Sequence, residues 1–286
     1  MKNPFNMSHA GFHKEVRWIM AAAASVLTLA LWGLAGWSAD LTRLDWIGGV
    51  SLILLFQVVM YRRIQRKQQT VLETLRSTAS DQGALLSVFS AIKPDLPLPP
   101  FTGWTVTPEI GRFLVLTVFE QKPLMIMECG SGLSTILMAY SLKRVGRGSL
   151  IALEHDRECA SRTDRFLRVH GLDEWARVEY TPLAPIRLNG REWLWYDIAS
   201  VRIPRKVDLL FVDGPPRRVH EESRYPAMHV LFPHFSSEVH VILDDAHRDG
   251  ERTVLEKWMR EFDGFRRVGQ DAHGRAVVLT RHSDAG

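Results

Sequence analysis

Leu124-Met125-Ile126-Met127-Glu128-Cys129-Gly130-Ser131-Gly132-Leu133-Ser134 is the stretch that decides how the rest of the chain is read. Its four leading apolar residues, Leu124 to Met127, have the length and flanks of a buried parallel strand. Glu128 closes that strand, and Gly130 and Gly132 permit a tight turn with close approach of the backbone to a ligand. Ser131 or Ser134 could cap a helix running from Thr135 to about Leu142. A strand, a glycine turn and a helix N-terminus together form a cradle for a nucleotide. The pattern is Glu-x-Gly-x-Gly, distinct from the Gly-x-Gly-x-x-Gly of dinucleotide sites.

Outward from this stretch, composition sets the limits. With 286 residues, 46% of them hydrophobic and 24% charged, the chain can bury one full α/β core and something smaller. Cys129 and Cys159 are its two cysteines, which make neither a disulfide framework nor a zinc site. The net charge is +4 and the pI about 9.2. The basic residues are dispersed, without an aromatic-interleaved stripe, so nucleic acid is not an expected partner.

Before the core comes an apolar N-terminal part. Trp18 to Trp37 carries no charge, and about twenty such residues cross the roughly 30 Å hydrocarbon layer of a bilayer. A second run, Trp46 to Tyr61, is shorter. Trp18, Trp37, Trp46 and Tyr61 stand at the run ends, where aromatic rings favour the interface. Lys2, Lys14 and Arg17 precede the pair, and Arg62, Arg63, Arg66 and Lys67 follow it. This bias predicts two transmembrane helices (18–37 and 46–61) in the inner membrane, with both ends cytoplasmic. The expected organisation is therefore an anchor over 1–67, a juxtamembrane helix and Pro-rich linker over 68–102, and a catalytic domain over 103–286.

Beyond a helix expected at Thr105–Phe119, strand and helix alternate. Leu124–Met127, Leu150–Leu153, Val178–Tyr180, Val207–Val212 and Val239–Leu243 read as buried strands with helices between most of them, which argues for a parallel sheet. Phe265–Val268 and Ala276–Thr280, joined by a turn-rich segment, read as a terminal antiparallel hairpin. Trp193, Trp195 and Tyr196 read as core packing.

Acids stand at the carboxyl ends of these strands, where open α/β sheets place their ligands. Glu128 ends the first and Glu154 the second, Asp213 the fourth, Asp244 and Asp245 the fifth. Glu154 lies about twenty residues past the glycine turn, the spacing of a ribose-binding acid. His247 follows the fifth strand and is a candidate base.

Four segments carry a resemblance: Met127–Gly132, Leu153-Glu154-His155-Asp156, Leu210-Phe211-Val212-Asp213-Gly214-Pro215-Pro216 and Ile242-Leu243-Asp244-Asp245-Ala246-His247. From about Gly103 onward the chain resembles the class I S-adenosylmethionine-dependent methyltransferases. That implies a Rossmann-like, seven-stranded, mostly parallel sheet ending in an antiparallel hairpin. It implies S-adenosylmethionine as cofactor, with Gly130, Ser131 and Gly132 at its methionine moiety and Glu128 orienting that loop or meeting the ammonium. Glu154 would take the ribose hydroxyls, His155 would flank the adenine, the loop near Thr181–Leu183 would cover the adenine edge, and Asp213 would face the reacting centre. Arg217 and His220 are candidate gates of the acceptor pocket. The acceptor is expected to be a hydroxyl oxygen of a small molecule, a glycan or a lipid-linked precursor.

The metal-dependent, catechol-type members hold a divalent ion such as Mg²⁺ where Asp213, Asp244 and Asp245 stand. This chain departs from them, with Asp245 in place of an Asn and Pro216 in place of a Lys. The competing readings are a nucleotide-dependent oxidoreductase and a non-catalytic membrane scaffold. Glu-x-Gly-x-Gly and the terminal hairpin speak against the first, and the intact set of strand-end acids against the second.

Overall fold

The computed structural model describes residues 43–101, 105–270 and 275–282. The chain divides into two compact units after Arg76. A single long helix, α1 (Arg43–Ile92), runs through the start of the described chain. It ends where Lys93 turns left-handed at φ 45°, its N–H bonding to Phe89 O at 2.9 Å, and Pro94 cannot extend it. Ala84, Val88 and Ile92, one turn apart, are buried.

This helix corrects the membrane reading. The first apolar run, 18–37, lies outside the described residues. The second, 46–61, is only one part of α1, and no helix among the described residues is long and apolar enough to cross a membrane. At 1.5 Å per residue that run spans only about 24 Å, short of the roughly 30 Å required. It also passes without a break into the Arg- and Gln-rich turns that follow. Among the described residues nothing supports the expected pair of transmembrane helices or the inner-membrane location, and the reason to favour a lipid-linked acceptor goes with them.

The remaining elements are α2 (Pro108–Gln121), β1 (Met125–Cys129), α3 (Leu133–Val145), β2 (Ser149–Glu154), α4 (Arg157–Val169), β3 (Ala176–Tyr180), β4 (Leu183–Leu188), β5 (Arg191–Tyr196), β6 (Val207–Val212), α5 (Pro226–Leu231), β7 (Phe235–Leu243), α6 (Asp249–Glu261), β8 (Phe265–Gln270) and β9 (Val277–His282). Seven strands form one sheet in the order β3-β2-β1-β6-β7-β9-β8. The first five are parallel, while β9 runs antiparallel to both β7 and β8. The strand order reverses between β1 and β6, the position where such sheets open a crevice for ligands. All seven strands of this sheet and its terminal hairpin agree with the sequence reading.

Each central strand is buried on both sides, as an all-parallel sheet covered by helices requires. In β1, Ile126 points into the cluster with α2 and α3. Met125, Met127 and Cys129 point into the opposite cluster, built with α5, α6 and the β4–β5 hairpin. Period-two alternation thus sends Glu128 to the α3 side.

The separate two-stranded sheet β4–β5 is an element the sequence reading did not resolve. Its turn is Asn189–Gly190, with φ 49° and 76°, the left-handed pair that joins two antiparallel strands tightly. Trp193, Trp195 and Tyr196 are buried in the core beneath it, as read.

Candidate active site

The glycine turn leaves β1 and enters α3 through Gly130 and Gly132, at φ 107° and 150°. Gly130 N–H bonds to Leu153 O at 2.9 Å, which ties the turn to the end of β2. Neither serine caps the helix. The N-cap is Gly132, which offers no side chain, and its N–H bonds to Thr135 Oγ1 at 3.0 Å. The serines turn instead to the two acids. Ser134 Oγ bonds Glu128 Oε1, while Ser131 Oγ donates to Glu154 Oε2 at 3.0 Å.

Glu128 lies fully buried below the turn, and Thr135 Oγ1 donates to its Oε2 at 2.7 Å. Burial pushes its carboxyl up to about 8, against the pull of the two hydroxyls. A continuous path, Gly132 N–H to Thr135 to Glu128, therefore fixes the shape of the loop from beneath.

Glu154 takes the opposite course. It too is buried, and burial alone would raise its carboxyl. The adjacent His155, the Asp156 N–H and Ser131 together outweigh that and hold it below the usual carboxylate range. Asp156 N donates to Oε1 at 2.9 Å, and His155 Nδ1 lies 3.0 Å from the same oxygen. The result is an ionised acceptor at the end of β2, beside the open N-terminus of α3. Past β3, Thr181 is buried with its N–H on Glu154 O at 2.8 Å, and Leu183 opens β4.

Across the crevice, Asp213 N bonds to Cys129 O at 3.0 Å, so the residue after β6 rests against the glycine turn. The Asp213 side chain is partly open, at 25% exposure, whereas Asp244 and Asp245 are closed off. A carboxylate oxygen from each of the three lies within 4.8 Å of the other two. Tertiary structure thus assembles the cluster that the sequence named. Burial raises the Asp213 carboxyl well above its ordinary range, with Asp244 adding to the effect and Arg224 opposing it.

Arg224, from the segment between β6 and α5, is the residue the sequence reading missed. Its Nη2 donates to Asp213 Oδ1 at 2.9 Å and to Asp245 Oδ2 at 3.0 Å. Nη1 donates to Asp244 O at 2.7 Å. Arg248 Nη1 lies 2.7 Å from Asp245 Oδ2, and Arg275 reaches Asp244 Oδ1 at 3.3 Å and Asp245 Oδ1 at 3.1 Å. Guanidiniums therefore bond at least one oxygen of each of the three carboxylates, with Asp244 Oδ2 left buried and without a hydrogen-bond partner. Because a guanidinium nitrogen already bridges Asp213 and Asp245, the residues present do not fit a divalent ion bridging them.

Tyr196, at the end of β5, was also missed as a site residue. Its hydroxyl is buried and without a hydrogen-bond partner. A side chain at Gly214 would come within 2.3 Å of that hydroxyl and 3.3 Å of Cys129 O and Gly130 N, so Tyr196 reaches the floor of the glycine turn. The Asn189–Gly190 pair, the sequence mark of its hairpin, is the signal that leads to it.

Three expected residues stand further out. His247 is exposed on the turn after β7. Arg217 is exposed and paired with Glu221 at 2.7 Å. His220 packs on Trp193, ring centroids 5.1 Å apart, with Nε2 2.5 Å from Arg191 Nη2.

A protein family described as a methyltransferase domain matches residues 127–246, from within β1 to just past Asp244 and Asp245. No curated protein matches the sequence. Among solved structures, the chain is similar to a Podospora anserina methyltransferase bound to S-adenosylhomocysteine, at TM-score 0.53 and 14% identity, over 74% of this chain and 96% of that one. An O-methyltransferase from Bacillus cereus, also in complex with S-adenosylhomocysteine, has TM-score 0.48 and 16% identity over 70% and 91%. One from Streptomyces achromogenes, in complex with S-adenosylmethionine and involved in tomaymycin synthesis, has 0.48 and 18% over 70% and 89%. Of these, the Podospora protein is close enough in shape to establish a shared fold. Fold and family match agree: residues 127–246 match a methyltransferase-domain family, and the chain is a methyltransferase built on a Rossmann-like α/β fold.

Proposed function

We propose that this enzyme moves a methyl group from S-adenosylmethionine to a hydroxyl oxygen of a small-molecule acceptor, with Asp213 taking the proton. The observation that carries the reading is the contact of Asp213 with the glycine turn, through Asp213 N–H on Cys129 O at 3.0 Å. That contact supports a carboxyl lying at the edge of the cofactor cradle.

The residues fit the cofactor. The N-cap of α3 is a glycine, leaving the first-turn N–H groups free of any side-chain cap and suited to the cofactor's carboxylate. Glu154, held ionised, is the acceptor for two ribose hydroxyls. His155 lies beside it, edge-on to Tyr196 at 6.1 Å. Gly130, Ser131 and Gly132 form the wall between, and Glu128, with both oxygens engaged by Ser134 and Thr135, shapes that wall from below.

When bound, S-adenosylmethionine supplies an electrophilic methyl group on its sulfonium, so the protein has mainly to align the acceptor and take its proton. Asp213 suits that task. One oxygen is committed to Arg224, the side chain is partly open, and burial makes the carboxyl more basic than an ordinary aspartate. His247, exposed on the neighbouring turn, is the alternative base.

Calorimetry of the full chain with S-adenosylmethionine and, separately, with NAD tests the reading first. Binding of S-adenosylmethionine alone is expected. Binding of NAD alone would replace the methyltransferase chemistry with a redox one. A panel of phenols and sugars, followed by S-adenosylhomocysteine release, then tests the hydroxyl acceptor; release with amines or thiols only would reject oxygen.

A further inference from the structure

We infer that Arg224 is the resident cation of the acid cluster, standing between Asp213 and Asp245 where a divalent ion would have to bridge them, and that it is the residue which positions Asp213. A bridging Mg²⁺ needs carboxylate oxygens at about 2.0–2.1 Å, and Ca²⁺ at about 2.3–2.6 Å, with lone pairs directed at the ion. Here one nitrogen, Arg224 Nη2, already bonds Asp213 Oδ1 and Asp245 Oδ2 at 2.9 and 3.0 Å. It bonds Asp213 O as well, at 3.1 Å.

Arg224 is not placed to swing away. Its side chain is 4% exposed, and its other terminal nitrogen is held by Asp244 O at 2.7 Å. Nε lies 3.8 Å from Glu251 Oε1, behind it. A guanidinium does not deprotonate in a protein, so no pH at which the protein is folded makes room for an ion by discharging it.

Charge leads to the same conclusion. The carboxyls of Asp213, Asp244, Asp245 and Glu251 face the guanidiniums of Arg224, Arg248 and Arg275. Four against three leaves at most one negative charge, and a divalent ion would overshoot it. In the metal-dependent arrangement the ion itself neutralises the acids and holds the acceptor. In this chain arginines neutralise them, and what remains for an acceptor is the partly open carboxyl of Asp213, fixed through its Oδ1. The departures at Asp245 and Pro216 are consistent with this: an added acid and a lost lysine suit a cluster balanced by Arg224 from another loop.

Titrating the full chain with Mn²⁺ and following the free ion by electron paramagnetic resonance tests the inference. Wild type is expected to take up no Mn²⁺ in a manner that depends on Asp213. Arg224→Met is expected to open the cluster and gain Mn²⁺ affinity by at least about tenfold over wild type, the gain being lost in Arg224→Met/Asp213→Asn. Arg224→Lys, which keeps a cation there, is expected to gain none. Wild-type Mn²⁺ uptake that Asp213→Asn removes overturns the inference, whether or not Arg224→Met folds, and a folded Arg224→Met without the gain overturns it too. The readout uses neither cofactor nor turnover, so failure of the methyltransferase reading and failure of this one are seen separately.

Discussion

Ser131 Oγ donates to Glu154 Oε2 at 3.0 Å, so a residue of the glycine turn holds the very carboxylate that ends the neighbouring strand. The first oxygen, Oε1, is held by Asp156 N–H. Each carboxylate oxygen can accept more than one hydrogen bond, so both keep acceptor capacity while their plane is already set. The glycine turn and the Glu154 carboxylate, the proposed ribose acceptor, are in this way one hydrogen-bonded unit.

That relationship ranks two substitutions. Glu154→Ala removes the charge-assisted acceptor and should weaken S-adenosylmethionine binding by about ten- to a hundredfold. Ser131→Ala removes only the positioning bond and should cost about two- to tenfold. Calorimetry on both variants checks the order; an Ser131→Ala protein that binds more tightly than wild type would mean the serine blocks the carboxylate.

Glu128 should leave a mark on stability rather than on a binding surface. Its carboxyl titrates near 8 folded, against an ordinary value of 4.5. Below about 4.5 both states carry the proton, and the burial costs nothing. Between 4.5 and 8 the unfolded chain has released the proton while the folded one retains it, so stability falls as pH rises. Above 8 the slope from this group vanishes. Glu128→Gln should flatten the fall across that window by up to about 1.4 kcal/mol per pH unit, as measured by urea unfolding at a series of pH values. An unchanged slope would show that Glu128 is ionised in the fold.

Gly214 and Tyr196 should be coupled. A Cβ at 214 would lie 2.3 Å from the Tyr196 hydroxyl, so Gly214→Ala should cost about 1–3 kcal/mol. Tyr196→Phe removes that hydroxyl, which has no hydrogen-bond partner, and should by itself be neutral or stabilising. The double variant should recover at least about 0.5 kcal/mol of the alanine's cost. Thermal unfolding of the four proteins closes the cycle, and strict additivity would place the strain elsewhere.

Asp213→Asn should retain cofactor binding and lose transfer to a hydroxyl acceptor by about a hundredfold or more. His247→Ala should stay within a few-fold of wild type, because its ring is exposed outside the cluster. Single-turnover measurements on both variants decide between the two bases; the reverse ranking would hand the role to His247.

Much of this protein was legible in the sequence alone. Buried parallel strands must be apolar on both faces, so five short runs stood out, and their terminal acids marked the ligand-bearing edge. The β4–β5 hairpin was harder to see because Pro185 argues against a strand and Leu194 sets a large apolar residue on its exposed face, although Asn189–Gly190 announces its turn. Hydropathy misled at 46–61, since an apolar run reports composition and not whether the helix around it is long and apolar enough to span.

What the sequence by itself determined is the order of strands, the glycine turn and the acids at the strand ends, each set by residues close to one another in the chain. Only the tertiary structure decided what those acids do. Glu128 and Glu154 are both buried and both carboxylates, yet burial pushes the first up to about 8 against two hydroxyls, while an imidazole, a backbone N–H and a serine keep the other ionised. The acid cluster likewise became an arginine-filled site because the chain returned Arg224 and Arg275 from separate segments to the ends of β6 and β7. Charge compensation acts through space over a few ångströms, and no local pattern along the chain records which cation arrives there.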